Sequence, residues 1–164
     1  MKKGDILLIH SKLDPIAWII RKASNSHWNH VAWAVDTHFL IEARGRAIDK
    51  CSIKKYLNWR YEVKLIRLKK VTKDQFKEGI EYVSQLQGER KYLSYLKTIL
   101  RMVFMEDEIR YGVLTCSGLI ARGLEEAGFS FIPNHKKISY QITPEDISKA
   151  KARNVTSELK KVSL

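Results

Sequence analysis

Cysteine, proline and glycine are scarce in this chain: 164 residues contain two, three and eight of them. The two cysteines, Cys51 and Cys116, form no C-x-x-C pair and no spaced set with histidines, so a disulfide framework and a zinc-finger pattern are excluded. Too little proline and glycine is present for a collagen-like or low-complexity chain, and no heptad pattern supports a coiled coil. Long apolar runs are missing too. A membrane helix needs about eighteen uninterrupted apolar residues, and the best stretch, 92–105, carries Lys97 and Arg101. The start Met1-Lys2-Lys3-Gly4-Asp5 has the basic residues of a signal peptide, but Asp5 and His10 break the apolar run and no small-residue cleavage site follows. The expectation is a cytoplasmic protein in a reducing compartment, or one released by lysis as phage-encoded enzymes are. Acidic residues are outnumbered, with 30 Lys+Arg against 18 Asp+Glu and a net charge of +12. That balance favours anionic partners such as nucleic acid, acidic membrane or cell-wall polymer, without choosing among them.

What is present is the composition of one ordered domain over 1–164, with 45% apolar and 29% charged residues and a basic tail from about 149. A domain of this size buries roughly two-thirds of its unfolded surface, enough to hold a rigid site without a metal or cross-link. Residues 5–9 read as a short strand. Asp14-Pro15 starts a short helix with Ile16, Ile19 and Ile20 on one side. Residues 30–36 and 39–43 read as strands joined by a hairpin at Thr37-His38, and the next turn falls at 44–46. A short helix near 52–59 and a strand over 62–68 follow. Thr72 with Gln75 makes a capping box for a helix that Gly88 stops. Residues 92–105 read as a buried helix. Thr115 caps another that runs to Gly128, and Thr143-Pro144-Glu145-Asp146 begins a last one.

Cys116 is the first residue inside its cap, where unpaired amides and the positive end of the helix dipole favour thiolate over thiol. A thiolate is a nucleophile; a small buried cysteine packed on a strand is the competing reading. Cys51 has no such setting and reads as structural. A catalytic thiol needs a base. His30, at a loop-to-strand border, suits that role, or that of a half-buried structural histidine. Glu42 interrupts an apolar strand, where a carboxylate must be paired or face solvent; an adjacent strand carrying His30 supplies a partner. His10, His27, His38 and His135 read as surface groups, with His10 and His27 able to line a cleft near strand ends.

The blocks Gly4-Asp5-Ile6-Leu7-Leu8, Trp28-Asn29-His30-Val31-Ala32, Leu40-Ile41-Glu42-Ala43, Thr115-Cys116-Ser117-Gly118-Leu119-Ile120 and Ile142-Thr143-Pro144-Glu145-Asp146 resemble, in that order, those of the permuted papain-like amidases. These are the YiiX-like, circularly permuted branch of the NlpC-type superfamily, in which the histidine strand precedes the cysteine helix. The resemblance implies an α+β fold with a small antiparallel sheet packed against helices. It implies Cys116 as nucleophile, His30 as base and Glu42 as the group that orients His30. Trp28 is expected at the cleft rim and Ser117 beside the nucleophile, both in contact with substrate. The chain departs from the pattern at Ala32-Trp33 and at Gly118, positions that bear on substrate fit.

The implied activity is thiol hydrolysis of a peptide or isopeptide amide bond, cell wall included, with no cofactor. An acyltransferase or thioesterase on the same residues is the first alternative; its acyl chain would need an apolar groove, which Ile16 to Ile20 and 96–105 could line. A basic binding module for nucleic acid or acidic membrane is the second. The lysine pairs at 54–55, 69–70, 136–137 and 160–161 are scattered as on a solvated surface, and no nucleic-acid-binding signature accompanies them. Trp18 and Trp33 lie among apolar residues and are expected in the core.

Overall fold

The computed structural model describes residues 1–44, 47–88, 115–130 and 142–161. The sequence-expected helix at 92–105, the completion of the 44–46 turn, His135 and the 136–137 lysine pair lie outside them.

Six strands form one antiparallel sheet: β1 (Ile6–Ser11), β2 (His30–Ala34), β3 (Phe39–Arg44), β4 (Ala47–Ser52), β5 (Tyr61–Leu68) and β6 (Ala152–Asn154). Their order is β4-β3-β2-β1-β5-β6, so the first strand of the sequence lies in the middle. Both faces are covered, which explains why residues 6–9 of β1 and 31–34 of β2 are apolar without alternating with polar residues. Ile6, Leu8, Val31, Trp33, Ile41 and Ile66 point into one core, under the helices. Leu7, Ile9, Ala32, Ala34, Leu40 and Leu65 point into the other, closed by Ile53, Tyr56, Val155 and Leu159 as the sheet curls. The hairpin between β2 and β3 is closed by Asp36, whose Oδ1 accepts from the backbone N–H groups of His38 (2.7 Å) and Phe39 (2.8 Å).

Four α-helices are described: α1 (Pro15–Ser24), α2 (Lys73–Gln85), α3 (Cys116–Glu126) and α4 (Pro144–Ser148). Each begins at the cap that the sequence marks. Asp14 Oδ1 accepts from Ile16 N (2.9 Å) and Ala17 N (3.3 Å); Thr72 and Gln75 form both halves of a capping box, as do Thr143 and Asp146; and Thr115 Oγ1 accepts from Gly118 N at 3.0 Å. Where α2 crosses α3, Gly79 and Gly123 face each other above Trp33. In α1 only Ala17 is buried, while Ile16, Trp18 and Ile19, and Leu13 just before the cap, are exposed. Trp18 is therefore not a core residue: the cap at Asp14 sets the helical phase so that Ala17 meets the sheet and its neighbour turns outward. Trp33 is fully buried, its Nε1–H donating to Gly4 O at 3.2 Å.

Residues 52–59 form less helix than their pattern suggests. A 3-10 turn, Ile53–Lys55, is capped by Ser52 and followed by irregular chain. The basic tail is built into the sheet: β6 pairs with β5, Val155 N donates to Leu65 O at 2.9 Å, and a 3-10 segment, Thr156–Lys161, follows. Arg67 of β5 fixes this end, donating to both oxygens of the fully buried Asp5 (2.7 and 2.9 Å) and to both of Glu158 (3.1 and 2.9 Å).

Candidate active site

The site lies where β2 and β3 part. Ala34 N donates to Asp5 O at 2.8 Å, so the even-numbered amides of β2 face β1 and the odd ones face β3. Pairing with β3 is confined to Trp33↔Ile41 and Ala34↔Leu40. The Val31 amide, two residues earlier, is thus left without a strand partner, and it points instead at the thiol of Cys116, the first residue of α3. Helix α3 packs over β2 and β3, which brings its N-terminus to this gap.

Extending the β2–β3 register by one step sets Glu42 beside Ala32. That small side chain leaves room for the His30 ring, two residues away on the same face, to reach across diagonally. His30 Nε2 lies 2.7 Å from Glu42 Oε2, with both side chains buried. The same carboxylate takes hydrogen bonds from Lys55 Nζ and from the Tyr56 hydroxyl, and Arg44 Nη1 donates to the Tyr56 oxygen at 3.3 Å. A lone carboxylate buried in a strand would be costly. Here three donors surround it, and despite burial they hold Glu42 well below the usual carboxylate range.

With Nε2 committed to Glu42, a carboxylate acceptor, the ring's free position is Nδ1, which is buried and has no strict hydrogen-bond partner among the described residues. Burial works against charging this ring, but the Cys116 thiolate and then Glu42 outweigh it and raise His30 to about 9. Burial likewise works against the Cys116 thiolate. The His30 charge outweighs it, helped by the Val31 and Ser117 amides, and lowers the thiol. The two groups therefore favour a thiolate–imidazolium pair, on a cysteine that keeps partial solvent access. Cys51 on β4 is in the opposite situation: burial and the Glu42 charge push it up to about 12.

Of the residues read from the sequence, Cys116, His30 and Glu42 thus come together. Ser117 is buried and its hydroxyl donates to Ile142 O, so only its backbone faces the thiol. Trp28 is in the helix-side core and not on a rim, because Ser26 Oγ bonds both Trp28 N (3.0 Å) and Trp28 O (2.7 Å) and turns the indole inward. Lys55, Tyr56 and Arg44 were not legible as site residues, since nothing in their spacing shows that the turn after β4 folds back under Glu42. A cleft opens onto His30, lined by Ile16, Ala17 and Ile20 of α1 and by Arg44, Tyr56 and Tyr61. Apart from the thiol site, His10, His27 and Glu62 bring three potential metal-ligating atoms within 4.8 Å of one another.

No protein-family model and no curated protein sequence matches this chain. Among solved structures it is similar to one titled the metalloprotein yiiX from Escherichia coli O157:H7, with a TM-score of 0.64 and 13% identity, covering 94% of this chain and 96% of that one. That likeness shows a YiiX-like α+β fold along most of the chain.

Proposed function

We propose that the protein is a cysteine-dependent hydrolase of the permuted papain-like kind, opening an amide bond through an acyl-enzyme on Cys116. The observation that carries this reading is the 2.7 Å bond between buried His30 and buried Glu42 behind a half-buried thiol at a helix N-terminus. The Cys116 thiolate attacks the carbonyl carbon, and the Cys116 amide at the start of α3 donates to the oxyanion that forms. Imidazolium His30 gives its Nδ1 proton to the leaving amine as the carbon–nitrogen bond breaks, leaving a thioester. Neutral His30 then takes a proton from water, whose oxygen displaces the thiolate and releases the acid. Glu42 keeps Nε2 protonated and Nδ1 aimed at the thiol throughout. The positive surface suits an anionic peptide or cell-wall glycopeptide.

A second reading, lipid-directed acyl transfer or thioester hydrolysis, is favoured by one observation: Ile16, Ala17 and Ile20 line the cleft at His30, and the neighbouring apolar residues Leu13, Trp18 and Ile19 are exposed. One experiment covers both. The protein is incubated with a peptide and isopeptide panel and with matched long-chain acyl esters, products are resolved by mass spectrometry, and the acyl-enzyme is trapped by acid quench. Hydrolysis lost in Cys116→Ala and His30→Ala, with an adduct mapping to Cys116, supports the reading; turnover indifferent to both substitutions defeats it. Preference for amide or acyl-chain substrate decides between the two.

A further inference from the structure

We propose that His10, His27 and Glu62 form a binding site for a divalent transition metal of the zinc type, independent of the thiol chemistry. The three residues come from separate elements: His10 on β1, Glu62 directly opposite it on β5, and His27 in the loop between α1 and β2. Their ligating atoms lie within 4.8 Å of one another. Tetrahedral zinc with bonds of about 2.1 Å sets its ligand atoms about 3.4 Å apart. His27 Nε2 and Glu62 Oε1 are 3.2 Å apart, one edge of such a tetrahedron. Small side-chain rotations, with His27 and Glu62 exposed and His10 half-buried, would bring in the others.

Two further details fit a ligand set better than a surface ion pair. His10 Nδ1 lies 2.9 Å from the His27 carbonyl oxygen. A carbonyl only accepts, so Nδ1 carries the hydrogen and Nε2 is left as a bare lone pair, the tautomer a metal ligand needs. The loop that presents His27 is tied down, since Glu145 Oε2 accepts from His27 N and from Ser26 Oγ, both at 3.3 Å. Two imidazoles and one carboxylate suit zinc and its neighbours and leave a coordination position to water. Spacings of 17 and 35 residues hide such a set from any local motif.

The test uses the full, untagged chain stripped with chelator and titrated with zinc sulfate by calorimetry. Cobalt(II) in parallel reports geometry from its visible absorption. The expected result is saturable one-to-one binding and a four- or five-coordinate cobalt spectrum without thiolate charge-transfer bands. Affinity should fall by at least about 10- to 100-fold, the loss that even an outer-shell partner costs, in His10→Ala, His27→Ala and Glu62→Gln and stay unchanged in Cys116→Ser. Circular dichroism checks that each variant is folded; Glu62→Gln, at a half-exposed position, serves if a histidine variant is not. Absence of saturable binding, binding that survives all three substitutions, or binding lost in Cys116→Ser overturns the proposal. Because no substrate is involved, its failure is separate from failure of the hydrolase reading.

Discussion

A Cβ placed on Gly79 would lie 2.6 Å from the carbonyl oxygen of Gly123, so α2 and α3 touch backbone to backbone at that crossing. Alanine is the better helix former by about 1 kcal/mol, yet Gly79→Ala is expected to destabilise by about 1–3 kcal/mol, because the clash is with main chain and with the buried ring of Trp33. Denaturant unfolding measures the loss. Any shift of α3 also moves Cys116, so alkylation of that thiol should slow in the folded variant; unchanged stability would mean the helices can separate freely.

The two cysteines provide an internal comparison. Cys51 is pushed up to about 12 while Cys116 is lowered from its ordinary value of 9.0. At pH 7 their thiolate fractions then differ at least about 10³-fold, and the weaker nucleophilicity of the low-pKa thiolate returns about half of that exponent. Iodoacetamide, with sites read by peptide mass spectrometry, should modify Cys116 at least ~30-fold faster. In His30→Ala the burial that opposes the thiolate remains while its counter-charge is gone, so the rate at pH 7 should fall at least about tenfold. Equal rates at the two cysteines in the folded protein would remove the main support for a nucleophile.

The coupled pair also has a pH signature in stability. His30, raised to about 9, stabilises fully below about pH 6.5, and that contribution is lost as pH rises through its folded value; lowered Cys116 stabilises above about pH 8.5 and loses its contribution as pH falls through its folded value. From the folded value of Cys116, or about 6.5 if that is higher, up to about 8.5, the folded thiolate–imidazolium pair and the unfolded neutral pair hold the same number of protons, so the two slopes cancel. The unfolding free-energy difference between the wild type and a Cys116→Ala/His30→Ala variant should be constant across that window and shrink on either side. A steady slope through it would show that the two groups do not share a proton.

Arg67 holds Asp5 and Glu158 together, and Asp5 has no solvent exposure. Removing one partner of a buried ion pair costs about 3–5 kcal/mol, so Arg67→Ala should lower the denaturation midpoint and loosen the tail first. Amide exchange at 152–159 would report the loosening. Cys116 alkylation below the transition should not change; a change there would tie the tail to the site.

The sequence reading succeeds where structure is set locally. Asp14-Pro15, Thr72 with Gln75, Thr115 and Thr143 with Asp146 each carry their helix start in the cap itself, and the caps are where the chain uses them. It fails where tertiary contacts decide. Strand β4, Ala47–Ser52, went unread because an edge strand carrying Asp49 and Lys50 shows neither alternation nor an apolar run. Strand β6 is three residues whose only strand signal is the β5 edge it completes. At the site, Cys116, His30 and Glu42 were legible from helix position, strand border and family order. Lys55 and Tyr56 were not, because their role comes from a turn folding back under a carboxylate thirteen and fourteen residues earlier.

Those short separations bear on the order in which a growing chain acquires its parts. His30, Glu42, Lys55 and Tyr56 all fall within 27 consecutive positions of the sequence, while Cys116 follows 60 positions after Tyr56. Contacts that close short loops form soonest. On the ribosome, the carboxylate and its donors can gather while the nucleophile is still unsynthesised, so the nascent chain carries a finished polar cradle before it carries anything reactive.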